Sequence, residues 1–197
     1  MRLGLDLRTS PQTTRERAIA ADRLGLWAVL VGGEAGVEAV MAAGLSTVTT
    51  QVRIFVEIDL DAEHPVTIAE ELAVLDNLCA GRVGAVLSGT EPERSELLRR
   101  ALLGHEVNGI VIAPPTVQTV MTTWLASHVA ARPQDLDRSL PTAAPGRTEL
   151  PGDLTAAGIE VDAWRRAGCT HLFARWDGTV SVLARHLAPR AASAAFP

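Results

Sequence analysis

A short alternating apolar run followed by a helix-spaced run recurs along the first half of this chain, and that repetition restricts its fold more than any other feature. The unit is clearest from Val52 to Leu60, where the residues alternate with the period of a strand. Pro65 then opens a helix on which Ile68, Leu72, Leu75 and Cys79 recur at helical spacing, and Gly81 stops it. Upstream, Leu3, Leu5 and Leu7 alternate, and Thr9, Ser10 and Pro11 supply cap and first-turn chemistry for a helix that runs to about Leu24 and ends at Gly25. Leu26 to Val31, then Gly32 and Gly33, lead to a second helix over Ala35 to Leu45 with Val37, Val40 and Met41 on one face. Val83 to Leu87 is a fourth strand, and Thr90 with Glu93 makes a capping-box pattern around Pro92 ahead of Leu97, Leu98, Ala101 and Leu102. Four successive strand-then-helix units predict a parallel sheet with right-handed crossovers.

Regularity then fails. His105 to Pro115 reads as a loop or short hairpin arm, and Val117 to Ala126 as a strand. The segment 128–152 is irregular and proline-rich, with Pro133, Pro141, Pro145 and Pro151. A helix ending at Ala167 and Gly168, a strand from Thr170 to Trp176 and a last helix from Thr179 to about Ala188 complete the chain. The expected architecture is one α/β domain over residues 1–197, a parallel βα barrel of the TIM type, incomplete with about six strands. Ligands of such folds bind at the carboxyl ends of the strands.

Composition removes several classes of function. The formal net charge of −5 disfavours binding to a phosphate backbone, so no nucleic-acid partner is expected. The start is too short and polar for a signal-peptide core, and no run approaches the ~20 apolar residues of a membrane span, so no membrane association is expected. Cys79 and Cys169 sit in apolar patterns as core-fillers, and a reducing cytoplasm is the natural compartment. The basic residues are all arginine and there is no tyrosine, which leaves no lysine for a Schiff base and no phenol for an acid. His171 and His186 have no ligand spacing to Asp or Cys, so no metal site is expected, and no catalytic residue is assigned.

Several residues admit two readings. Ser88, Gly89 and Thr90 lie between a strand and a helix N-terminus, which is either a phosphate site or a capped turn. Ser127 and His128 after the fifth strand add phosphate contacts or form an ordinary loop, and Arg175 near the end of the last strand is a candidate positive charge. Glu57 and Asp59 point the same way along their strand, either into a pocket as acid or base or out to solvent from an edge strand. His64 orients the Pro65 helix.

The run AADRLGLWAVLVGGEAG, followed by LSTVTTQVRIFVEIDLDAEHPVTIAEELAVLDNLCAGRVGAVLSG, resembles the luciferase-like monooxygenase family of flavin- and deazaflavin-dependent enzymes over about residues 15–104. The ordered set of Thr50 and Arg53, His64-Pro65, Leu75-Asp76 and Gly81-Arg82 before a strand ending at Gly89 carries the likeness, and Pro114-Pro115 and AGCTHLFARWDG extend it. The resemblance implies FMN or coenzyme F420 at the strand ends, with Glu57, Ser88, Gly89 and Ser127 as cofactor contacts, and a small-molecule substrate. Glu34 matches the family's acidic residue, but Ala35 stands where many members place a histidine. Glu57 or Ile58 falls where members often hold a non-prolyl cis peptide, and Phe55 replaces the usual glycine just before it. Two functions follow: a flavin- or deazaflavin-dependent oxidoreductase, or a non-catalytic flavin-binding or partner subunit. Pairing as a homodimer, or as a heterodimer with a related subunit, is expected through the second helix, where Ala39, Ala42 and Ala43 are small beside Val40 and Met41, and the third, which offers Ile68, Leu72 and Leu75; the alternative is that the barrel itself takes up all of these residues.

Overall fold

The computed structural model describes residues 1–8, 11–32, 37–89, 91–137 and 145–192. In chain order its elements are β1 (Arg2–Asp6), α1 (Pro11–Arg23), β2 (Ala28–Val31), α2 (Glu38–Ser46), β3 (Arg53–Asp59), α3 (Pro65–Leu78), β4 (Val83–Ser88) and α4 (Pro92–Leu102). There follow β5 (Thr122–Leu125), β6 (Gly146–Glu149), α5 (Leu154–Arg166), β7 (His171–Arg175), and a last helical stretch of α6 (Val180–Val182), a π-helical turn (Leu183–Leu187) and α7 (Ala188–Ala192). Glu34, Ala35 and Thr90 lie outside the described residues. The chain forms two compact units, residues 1–30, 49–52 and 127–197 in one and residues 31–48 and 53–126 in the other.

In the first unit β1 pairs in parallel with β2 and with β7, and β7 pairs in parallel with β6. Leu3, Leu5 and Leu7 are buried as their alternation requires, and Asp6 between them is buried too, so β1 is covered on both faces in the manner of parallel-sheet strands. Gly25 follows α1 with φ +71°, a left-handed stop that a side chain would resist. Asp22, in the last turn of α1, accepts the backbone N–H groups of Thr50, Gln51 and Val52 at 3.0, 2.7 and 2.7 Å and so fixes the short segment that leads to β3. Burial pushes the Asp22 carboxyl up, but those N–H groups and the Thr50 hydroxyl together outweigh it and hold the carboxyl below its usual range. A carboxyl depressed on folding stabilises the fold above its unfolded pKa and loses that contribution as the pH falls through the folded value. Asp22→Ala is therefore expected to lose about 1 kcal/mol at pH 7, discounted for the site's exposure. Urea unfolding should show the gap from the parent chain closing below about pH 3.9.

The second unit is the parallel sheet β3, β4, β5, with Phe55 opposite Gly84 and Gly84 opposite Thr122. Pro65 sits in the first turn of α3, where a missing N–H costs nothing, and His64 caps the helix as expected, its Nδ1 accepting from Val66 N–H at 3.2 Å. The familiar motif residues on α3 prove to be structural. Asp76, fully buried, accepts from the backbone N–H and the Nε2 of Gln118 at 2.9 and 2.7 Å, while Arg53 donates to the Gln118 Oε1 at 2.7 Å. Asn77 donates to the Pro115 carbonyl at 2.8 Å. The stretch before β5 is thereby pinned to α3 and the start of β3. Both cysteines are buried and unbridged, and burial pushes their thiols up, that of Cys169 to about 11.

Two expectations need correction. Seven strands are present among the described residues rather than about six, because Gly146–Glu149, inside the segment read as irregular, pairs with β7. Its sequence, GRTE, has no apolar alternation; what seats it is Trp164 of α5, whose ring lies where a Cβ on Gly146 would come within 2.4 Å. β5 is confined to Thr122–Leu125 instead of starting at Val117, since residues 115–118 are tied to α3. The N-cap of α4 is Glu91, without a side-chain cap bond, and the Thr90 of the expected capping box lies outside the described residues. The arm at His105 to Pro115 is a hairpin closed by an antiparallel bridge between Val107 and Ile110, with Asn108 and Gly109 at positive φ.

Candidate functional site

In the second unit, register decides which side chains meet. Phe55, Glu57 and Asp59 of β3 stand opposite Gly84, Val86 and Ser88 of β4, and Gly84 and Val86 stand opposite Thr122 and Trp124 of β5. Alternation along each strand therefore puts these residues on one face of the sheet. Val56 and Ile58 point the other way, into a cleft with Ile68, Leu72 and Leu75 of α3 whose rim carries Glu38, Glu63, Glu71 and, at the strand end, Asp59. Ile54, Phe55 and Val56 are buried completely, so β3 is not the solvent-facing edge strand that would have turned Glu57 outward.

On the shared face Phe55 lies flat against Trp124, ring centroids 4.9 Å apart and planes 7° from parallel. The ring of Phe55 occupies the space that a side chain at Gly84 would need, within 2.5 Å of a Cβ there. Glu57 comes one step nearer the carboxyl end, half-buried, packed so closely by Gly32 that a Cβ on that glycine would lie 2.8 Å from its own. Gly32 has φ +146° and Gly89 has φ +144°, conformations that keep side chains out of both strand exits. The Ser88 hydroxyl donates to the Ile58 carbonyl at 3.2 Å, which leaves it lone pairs to offer but no free proton. Among the described residues the one cis peptide bond is Ala113-Pro114, so neither Glu57 nor Ile58 carries one.

Sequence reasoning missed Arg94. From α4 it donates Nε to the Leu60 carbonyl at 2.7 Å and Nη2 to the Glu63 carbonyl, closing the loop after β3. Its helical spacing in PERSELLRR gave no sign of this, because the partner carbonyls lie more than thirty residues away. Glu57, Ser88 and Gly89 are thus brought together at the carboxyl ends of neighbouring strands. Ser127 belongs to the first unit, where it is exposed in a 3-10 turn (Ala126–His128) just after β5.

The first unit has its own polar cluster at the carboxyl ends of β1, β7 and β6. The fork of Arg8 closes on Asp6, Nε to Oδ1 at 2.9 Å and Nη2 to Oδ2 at 2.6 Å, with the Asp6 side chain almost wholly buried. Arg175 approaches the same Asp6 at 3.9 Å and Glu149 at 3.8 Å. Arg175 was singled out in the sequence as a spare positive charge; the aspartate that faces it was not. Among the described residues no three His, Cys, Asp or Glu side chains are grouped to hold a metal ion, and no helix is long and apolar enough to cross a membrane.

Residues 2–96, just under half of the chain, match a family described as luciferase-like monooxygenase. No curated protein matches in sequence. Among solved structures the chain is similar to the monooxygenase RslO1 from Streptomyces bottropensis, with 18% identity and a TM-score of 0.56 over 85% of this chain and 66% of that one. It is similar also to the oxygenating constituent of 3,6-diketocamphane monooxygenase from Pseudomonas putida in complex with FMN, at 12% identity and TM-score 0.55, over 87% of this chain and 64% of that one. A third is the coenzyme F420 dependent tetrahydromethanopterin reductase from Methanopyrus kandleri, at 12% identity and TM-score 0.54, covering 89% and 65%. The chain spans slightly less than two thirds of the length of these proteins. The shared fold is that of a parallel βα barrel, present here in incomplete form.

Proposed function

We propose that this chain, luciferase-like over residues 2–96, is a flavin- or deazaflavin-dependent oxidoreductase of the monooxygenase type that acts on a small molecule. The observation that carries this reading is that the matched stretch contains β1 to β4 and with them Glu57, Ser88 and Gly89 gathered at the strand ends. These residues fit FMN or coenzyme F420: the face offers an aromatic floor in Phe55 and Trp124, a carboxylate beside it, and two glycine exits that a Cβ would fill. When bound, the cofactor supplies hydride transfer or oxygen activation. The chain's own part is to bind and orient. Glu57 accepts a ring N–H or holds a proton at its carboxylate, the Ser88 oxygen accepts a hydrogen bond, Gly89 leaves the strand exit open to a ligand, and the aromatic pair keeps water from the sheet face. Ser127 is proposed as a further contact on the strength of the resemblance alone.

Titration of the purified chain with FMN and, separately, with coenzyme F420 is expected to give a saturable fluorescence change with one of them. Glu57→Gln should weaken that binding by about tenfold, the effect of losing one charged hydrogen bond. If neither cofactor changes signal, the reading fails. The second reading, a binding subunit without turnover, is favoured by Phe55, which fills space on the sheet face that the resemblance leaves to glycine. Bound reduced cofactor that reoxidises no faster than free cofactor would establish it.

Pairing is proposed through α2 and α3, on a surface that keeps Val40 of the expected set. Ile68, Leu72, Leu75 and Ala42 are buried within the chain, whereas Val40 (71% exposed), Val74 (44%) and Leu78 (57%) are open. Light scattering should give a dimer mass, and Val40→Glu should reduce it to 20.9 kDa.

A further inference from the structure

We propose that Arg175 anchors an oxyanion-binding site, which takes the carboxylate or phosphate group of a small ligand at the carboxyl ends of β1 and β7. Two guanidinium groups flank the buried carboxylate of Asp6, and of the two only Arg8 hydrogen-bonds to it, fork on fork at 2.9 and 2.6 Å. Those bonds pair one positive charge with one negative charge. Arg175 remains, its Nη2 3.9 Å from Asp6 Oδ2 and its Nη1 3.8 Å from Glu149 Oε2, both beyond hydrogen-bond reach. Its Nε is buried and donates to nothing among the described residues. Glu149 is a weak counter-ion, since 70% of its side chain is exposed against 30% for Arg175.

A guanidinium carries five N–H donors in a planar fork, and withdrawing it from water without acceptors is unfavourable. An oxyanion that accepts two of those donors supplies the missing hydrogen bonds and displaces the exposed Glu149 as counter-ion, and Arg is shaped for that bidentate contact. A purely structural tie between β1 and β6 would place the fork of Arg175 within hydrogen-bond distance of Asp6 or Glu149, as the fork of Arg8 is. At 3.9 and 3.8 Å Arg175 makes ion pairs with Asp6 and Glu149 but no hydrogen bond to either, so its side-chain donors stay unfilled among the described residues. The inference stands on this cluster and does not require the redox reading above.

The test uses the full chain and the variants R175Q and R175K. At constant ionic strength, inorganic phosphate or acetate in place of chloride should raise the melting temperature of the parent chain. Calorimetric affinity for the better anion should fall at least about tenfold in R175Q, with R175K between the two. Without added anion R175Q should melt at the parent temperature or above, because no hydrogen bond is removed. The source of the oxyanion is read from further titrations. A loss of FMN affinity without loss of riboflavin affinity marks the cofactor's phosphate, and a loss of benzoate affinity with FMN unchanged marks a substrate carboxylate. If phosphate binds but neither FMN nor coenzyme F420 does, the cofactor reading fails and this site stands. Absence of anion binding in the parent chain, equal affinity in R175Q, or a fall of several degrees in anion-free R175Q would each overturn it.

Discussion

Asp76→Ala is expected to remove about 3–5 kcal/mol from an unfolding free energy on the order of 5–15 kcal/mol. The carboxylate is completely buried at the end of α3 and receives two hydrogen bonds from Gln118, whose Nε2 also donates to the Val83 carbonyl and whose Oε1 accepts from Arg53. Its removal strands the Gln118 backbone N–H and one of the two donors of its amide, which stays tied to Val83 and Arg53. Each lost bond to a charged acceptor costs roughly 1.5–3 kcal/mol. Asp76→Asn keeps the volume but turns one acceptor into a donor, so an intermediate loss is expected. Gln118→Ala should approach the same cost, and Asp76→Ala with Gln118→Ala should cost less than the sum, since both remove the same bonds. Urea titration followed by circular dichroism measures all four chains. A loss under about 1 kcal/mol for Asp76→Ala would show that the network is incidental.

The second large effect is expected at the sheet face that holds Glu57. Phe55→Ala should lose about 3–5 kcal/mol, because the ring is fully buried and stacked on Trp124, and its removal leaves a void that the sheet cannot close. Gly84→Ala fails for the opposite reason: its new Cβ would lie 2.5 Å from Phe55 Cε1 and 2.7 Å from Cζ, and a ring held against Trp124 has little room to move, so about 2–3 kcal/mol is expected. The diagnostic is the pair together. In the double variant the alanine at 84 enters the space that Phe55 vacates, so the summed cost should fall by 1 kcal/mol or more, a coupling of the size seen between contacting residues. Strict additivity would mean that the two positions do not share that space. The same experiment bears on function, since opening the face by Phe55→Ala should leave cofactor affinity no weaker if the ring only fills space beneath the ligand.

The units that repeat in the first half were legible because their signals are local. Pro65 and His64 start α3, Gly81 at φ +78° ends it, and the alternation from Arg53 to Asp59 survives as β3. The grouping of Glu57 with Ser88 and Gly89 was legible as well, because consecutive strand-then-helix units bring consecutive strand ends side by side. Between residues 117 and 152 the local signals mislead. Val117 to Met121 carry strand-like residues, yet hydrogen bonds to Asp76 and Asn77, about forty residues earlier, hold the chain before β5 in another conformation. β6 is the reverse case: Gly146 to Glu149 have no strand pattern, and pairing with β7 beneath Trp164 makes them one.

The polar sites divide in the same way. Asp6, Arg8 and Arg175 each follow an apolar run, which marks them as strand ends, but nothing local pairs Asp6 with Arg8 and leaves the Arg175 guanidinium without a hydrogen bond among the described residues. By itself, then, the sequence determined the order of strands and helices, their parallel pairing and the end of the sheet where polar residues collect, since periodicity, caps and stops act within a few residues. Tertiary structure alone decided which chain segments become β5 and β6, that Phe55 lies on Trp124 over Gly84, and which arginine keeps its donors, because those outcomes depend on contacts between residues far apart in the chain whose energies no local pattern encodes.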